Sequence, residues 1–145
     1  MNDAPMNDDD LAALLTRTNH GVLTTIKRDG RPQISAVTFG YHPHTRVVEV
    51  SVTATRAKTH KARRDPRVRL YVESAEGWSY TLADGTAELT EEAREVDDAT
   101  TEALVSYYRH ISGEHPDWQE FRQVMVAERR ILMTVRVDRF YGVAR

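Results

Sequence analysis

Seven cations, Arg56, Lys58, Lys61, Arg63, Arg64, Arg67 and Arg69, share residues 56–69 with a single acid, Asp65. The run follows a β-branched segment and opens a helix-forming one, RAKTHKARR. Such an arrangement suits an anion, because the first backbone N–H groups of a helix lack partners within it and guanidinium adds paired donors. Arg56 and Lys58 lie at the strand-to-helix junction, where both effects converge. Lys61, Arg63 and Arg64 lie further along and suit a solvated face equally well. A nucleic-acid partner would need aromatic side chains between the cations or a recognisable module, and the run has neither.

Other chemistries are poorly supplied. Without cysteine there is no thiolate metal ligand, thiol nucleophile or disulfide. His42 and His44 flank Pro43, but a metal would need a third ligand. The other histidines, His20, His60, His110 and His115, show no ligand spacing. No metal site is expected, and a turn with two exposed histidines is the simpler reading. The acids, such as Glu91-Glu92 and Asp97-Asp98, read as solvated helix surface. There is no G-x-S-x-G elbow, no G-x-G-x-x-G and no P-loop, so no catalytic side chain is identified. Trp78, following Gly77, reads first as a core or interface residue and second as a cofactor contact. Tyr107, Tyr108, Trp118 and Phe121 read as helix packing or a subunit contact.

The elements that must position these residues follow from periodicity. Residues 1–7 are expected to be a mobile tail, and 8–145 one domain. Asp8 to Asp10 precede Leu11, Leu14 and Leu15, a short capped helix. Residues 22–26 and 33–39 flank Asp29-Gly30 as a hairpin; residues 47–52 read as a core strand. A helix over 56–64 must stop at Asp65-Pro66. Alternation at 68–72, a strand pair or one bent strand over 78–89, and a last strand from Ile131 to Val137 follow. A long helix is expected from Thr90 to about Ile111, and a second from Pro116. The order predicts a mainly β, α+β fold: a six-stranded antiparallel barrel with helices at its ends, not a parallel doubly wound sheet.

Composition sets the class. The chain has 145 residues, 40% hydrophobic, with a formal charge of −2, as in ordinary folded domains. The start MNDAPMNDDD lacks the basic and apolar regions of a targeting signal, and no apolar run approaches membrane-spanning length. A cytoplasmic location without membrane association is expected.

Four segments are familiar together: GVLTTIKRDGRPQIS at 21–35, VSVTATRAKTHKARRDPRV at 50–68, EGWSYTLADGTAELT at 76–90 and YYRHISGEHPDWQEFRQVMVAERRILMTV at 107–135. In this order they resemble the pyridoxamine-phosphate-oxidase-like split β-barrel flavoproteins, and more closely their actinobacterial F420-dependent reductases of the FDOR-B type. The resemblance implies an FMN-binding-like split barrel and a homodimer with two cofactors between its subunits. It implies that Arg56 and Lys58 grip the cofactor phosphate, with Ala57 and Thr59 completing the phosphate turn. Gln33, Ile34 and Ser35 would line the ring, with Ser51 on the adjacent strand. Trp78 and Arg130 are implied as further cofactor contacts, or as dimer contacts. Lys27, Arg28 and Arg31 could meet an oligoglutamate tail. The activity implied is hydride transfer from reduced coenzyme F420 to an unsaturated or conjugated acceptor. FMN oxidases or reductases, and non-catalytic binders of flavin, deazaflavin or tetrapyrrole, are the alternatives within this resemblance. A bound cofactor would carry the reaction itself, which accounts for a chain without a catalytic set.

Overall fold

A computed structural model describes residues 7–144, the side chain of Lys58 excepted. Of the tail expected over 1–7, all but Asn7 lies outside the described residues. Asn7 caps α1 (Asp8–Ala13), its side chain accepting from the Asp10 N–H at 2.8 Å. α1 tightens into a 3-10 turn at Leu14–Thr16. The rest runs β1 (His20–Ile26), β2 (Pro32–Thr38), β3 (Gly40–His42), β4 (Val47–Thr53), α2 (Ala57–Arg64), β5 (Arg67–Glu73), β6 (Tyr80–Leu89), α3 (Ala99–Ser112), α4 (Trp118–Ala127) and β7 (Arg130–Val143).

The strands form one antiparallel sheet in the order β2-β1-β5-β6-β7-β4-β3. The sheet curls until β2 and β4 approach each other, giving the expected split barrel. Among the described residues it has seven strands rather than six. The chain continues past Phe39, which is fully buried, and Gly40–His42 pairs with Val47–Glu49 as a short extra strand.

Alternation explains what fills the barrel. Val48, Val50 and Val52 of β4, Val68, Leu70 and Val72 of β5, and Ile131, Met133 and Val135 of β7 point inward. Leu11, Leu14 and Leu15 seal one end, and Ala62 of α2 enters the same core. α3 and α4 lie instead against the outside of β7, where Leu132 joins Ala93, Leu104, Val105, Tyr107 and Phe121 in a second cluster. Burying a branched apolar side chain contributes roughly 1.5–3 kcal/mol, so β7, buried on both faces here, ties the helices to the barrel. No described helix is long and apolar enough to cross a membrane.

Two expected elements are corrected. The long helix begins at Ala99, not Thr90. The Ala93 N–H bonds to the Arg130 carbonyl at 2.8 Å, and the Asp98 carboxylate accepts from the N–H groups of Arg94, Glu95 and Thr101 at 2.8–3.0 Å, so helix formers at 91–95 are kept out of the helix. The strand expected from Trp78 begins at Tyr80, and Trp78 is 71% exposed in the β5–β6 turn rather than packed in a core.

Burial raises the Asp98 pKa, but the three N–H donors outweigh it and hold the carboxyl well below its ordinary value of 3.8. A depressed pKa contributes stability that is complete above the unfolded value and disappears as pH falls below it. Asp98→Ala is therefore expected to cost about 1–2 kcal/mol near neutral pH. Urea unfolding at several pH values checks it: the gap between wild type and variant should narrow on acidification below 3.8.

Candidate functional site

The split in the barrel is a slot between two incompletely paired edges. The Lys27 N–H bonds to the Arg31 carbonyl and the Phe39 N–H to the Asn19 carbonyl, both at 2.8 Å. By alternation, Gln33, Ser35 and Val37 spend their backbone groups on β1, while those of Ile34, Ala36 and Thr38 point the other way. Among the described residues no strand pairs with that edge. Across the slot, the Ala54 N–H bonds to the Arg129 carbonyl at 3.0 Å, so Val48, Val50 and Val52 face β7 and Ser51 and Thr53 face the slot. β3 ends opposite Glu49 and reaches neither.

Side chains divide differently. Gln33 and Ser35 are half-buried on the side of β2 that packs Val37 on the core, whereas Ile34 is 63% exposed. Ser51 sits beside Arg130, whose Nη1 lies 3.5 Å from the Ser51 hydroxyl. Glu128 holds that guanidinium at 2.8 Å. Thr53 carries a buried hydroxyl oxygen with no partner among the described residues.

The chain then bends into α2. The Thr59 hydroxyl is fully buried and donates to the Thr53 carbonyl at 2.8 Å, locking the bend. Arg56 is the N-cap residue of α2; no side chain caps the helix, and its first turn has no acid. Ala57 is exposed there. The Lys58 backbone belongs to the first turn, and its side chain lies outside the described residues.

Two of the seven cations of the basic run are neutralised by carboxylates and a third is tied to a carbonyl. Arg67 meets Asp65 at 2.7 Å, and its hydrogen bonds lower the Asp65 pKa to about 2. Arg69 meets Asp84 at 2.6 Å, and Arg64 donates to the Ile26 carbonyl at 3.3 Å. Arg56, Lys61 and Arg63 have no carboxylate partner among the described residues. Arg56 alone of these three stands at the helix start, where dipole and charge add.

Ser51, Arg56, Ala57, Thr59 and Arg130 thus gather around one end of the slot, with Gln33, Ile34 and Ser35 along its other border. Trp78 does not join them. It lies beyond the Tyr80 end of β6, which pairs with Val143, whereas Arg130 begins β7 beside Thr53 at the opposite end. Lys27, Arg28 and Arg31 are exposed in the β1–β2 turn.

Two neighbours escaped the sequence reading. Tyr107 was read as packing, yet its hydroxyl donates to the Thr38 carbonyl at 3.0 Å. A tyrosine on an otherwise apolar helix face was the available signal, since a buried phenol needs a partner. His42 is not an exposed turn histidine: it is half-buried, meets Glu49 at 2.5 Å and stacks on His110 at 4.3 Å. Among the described residues no group of three or more His, Cys, Asp or Glu side chains could hold a metal.

Known proteins share this architecture. The chain is similar to the conserved hypothetical protein Rv2991 from Mycobacterium tuberculosis, with 20% identity, a TM-score of 0.76 and coverage of 99% of this chain and 88% of that one. It is similar to a protein described as an F420 reductase, with 21% identity, a TM-score of 0.69 and coverage of 95% and 98%. A heme binding protein from Mycobacterium smegmatis matches with 19% identity and a TM-score of 0.66 over 97% of this chain and 56% of that one. At these identities the likeness establishes the fold. Sequence itself establishes kinship: the pyridoxamine 5'-phosphate oxidase profile matches from Asp8 to Ala144, taking in the slot, the bend and both helices beside them, and the chain belongs to that family.

Proposed function

We propose that this protein is an oxidoreductase that uses reduced coenzyme F420 to deliver a hydride to an unsaturated or conjugated small molecule. One observation carries the reading: a slot whose edges have no strand partner among the described residues runs up to a helix start without a side-chain cap, bearing Arg56, which has no carboxylate partner among them. A flat heteroaromatic ring with a phosphate arm asks for those two features side by side. The edge groups of Ile34 and Ala36 can hydrogen-bond a ring edge, and the Thr53 hydroxyl oxygen, which has no partner among the described residues, can take a donor or water. Arg56, Lys58 and the first N–H groups of α2 would hold the phosphate. Family membership supports a flavin-type ring, and the likeness to a protein described as an F420 reductase favours the deazaflavin, while the same residues would accept FMN.

When bound, the deazaflavin supplies the hydride. The chain's task is to fix the ring's edge and arm, leave one ring face open to an acceptor and keep water away, so that proximity lowers the barrier. A homodimer belongs to this proposal. The outer face of β1, β5, β6 and β7 carries a groove of about 430 Å³ lined by Thr24, Ile26, Arg69, Asp84 and Thr86 among others. A two-fold axis perpendicular to that face exchanges the ends of the barrel. Trp78 of one protomer would then approach its partner's α2 end, the arrangement in which it could touch cofactor.

Fluorescence titration with oxidised F420 and with FMN tests the reading, followed by assays of each reduced cofactor against quinones, enones and tetrapyrroles. Tight F420 binding with turnover of an acceptor is the expected result. FMN binding in preference to F420 would reassign the cofactor, and tight binding with no turnover would make the protein a carrier.

A further inference from the structure

Five threonines are buried among the described residues, and four of them give their hydroxyl to a backbone carbonyl: Thr59 to Thr53, Thr81 to Leu11, Thr100 to Glu91 and Thr101 to Glu95, at 2.7–2.8 Å. Thr25 does not. It is fully buried in β1, two residues after the core residue Leu23 and on the same face, and its hydroxyl oxygen has no hydrogen-bond partner among the described residues. A hydroxyl left unpaired at this depth costs stability that a valine of the same shape would not. Thr25 therefore carries a polar group that the fold itself does not use.

Its position shows what can use it. Register puts Thr25 directly across from Gln33 of β2, and opposed side chains share a face with Cβ atoms about 5 Å apart. Gln33 is half-buried on the slot border, and its side-chain amide has no hydrogen bond among the described residues. Two unengaged polar groups thus stand side by side, the deeper one out of a ligand's reach and the shallower one within it. They lie at the α2 end of the barrel, where Arg64 donates to the carbonyl of Ile26, the next residue of β1, at 3.3 Å. Thr53, the other buried hydroxyl without a partner among the described residues, closes β4 at the same end.

We infer that Thr25 is a positioning residue whose hydroxyl holds one end of the Gln33 side-chain amide, so that the other end meets the edge of the ring bound in the slot. This rests on the reading of the slot as the ring site. A carboxamide has a donor end and an acceptor end, and a threonine hydroxyl can serve either. Held from below, Gln33 presents one orientation to the ring. Without that hold, ordering its side chain subtracts from the ring contact.

Thr25→Val in the full chain keeps the shape and removes the hydroxyl. Its Tm without added ligand should equal or exceed that of wild type, because no bond is lost, while F420 affinity should fall about fivefold. Thr25→Ser keeps the hydroxyl and loses a methyl group from the core. It should lower Tm by about 3 °C and bind F420 within about twofold of wild type. In a Gln33→Ala background, Thr25→Val should cost no further affinity, since the group it acts through is gone. A lower Tm for Thr25→Val would show the hydroxyl engaged by the fold and overturn the inference. Equal affinity in wild type and Thr25→Val, or an undiminished loss in the Gln33→Ala background, would overturn it as well. A wild type that binds neither F420 nor FMN removes the functional reading and the role resting on it, and the Thr25→Val Tm still decides whether the hydroxyl is spare.

Discussion

Replacing Arg56 and Lys58 together with alanine is expected to weaken F420 binding about a hundredfold or more while the barrel stays folded. Charge-assisted hydrogen bonds contribute roughly 1.5–3 kcal/mol each, and each 1.4 kcal/mol is tenfold in affinity. Arg56 is exposed, so screening by water and salt favours the lower end of that range. Two such bonds still give about a hundredfold. The fold has other anchors here: the bend is locked by Thr59 and Thr53, and α2 is held by the buried Ala62. Fluorescence titration at two salt concentrations, with circular dichroism as the check on folding, measures the effect. The wild type should lose affinity with salt more steeply than the double variant. Arg63→Ala, a cation of the same helix away from its start, should bind within about twofold of wild type, as expected of a solvated surface charge. An unchanged affinity in the folded double variant would remove the phosphate assignment.

The largest loss of stability is expected from Gly85→Ala. Gly85 lies at the register shift between β6 and β7. A Cβ there would sit 2.2 Å from the Arg136 carbonyl oxygen, 2.8 Å from Val135 Cγ1 and 2.9 Å from the Arg136 carbonyl carbon. Two of those three atoms are backbone, so no side-chain rotation relieves the clash, and the strands must part where the pairing is longest. A cost of about 3 kcal/mol or more follows from overpacking together with lost ladder bonds. For a domain of this size that corresponds to a fall in Tm of roughly 10 °C. Gly77→Ala is the control. Nothing lies within 4 Å of a Cβ at that position, and only the backbone angle, φ +78°, resists it. It should cost about 1 kcal/mol. Thermal unfolding of both variants separates steric conflict from backbone strain, and equal Tm losses would contradict the assignment.

Much of the architecture could be read from residue patterns. Asp29-Gly30 announced the first hairpin, Asp65-Pro66 the end of α2, and alternation at 47–52, 68–72 and 131–137 the inner strands. These signals are local, because a period of two or a turn residue acts within a few positions. The errors came where a distant partner outweighed local preference. Glu91, Glu92 and Arg94 favour a helix, but Asp98 and the Arg130 carbonyl claim the backbone there. His42 looked like a turn residue until Glu49 and His110 closed on it from β4 and α3.

The candidate site divides along the same line. Sequence by itself determined the cationic bend: a strand feeding a helix with Arg56 at its start makes an anion-attracting point whatever surrounds it, because the charge and the unpaired N–H groups are properties of consecutive residues. Tertiary structure alone decided which cations remain available, since Asp84 reaches Arg69 from another strand. It alone opened the slot, because an unpaired edge exists only where curling brings β2 toward β4 without joining them. It also gave the buried Tyr107 hydroxyl its acceptor, because the Thr38 carbonyl comes within reach of α3 only when the sheet has closed.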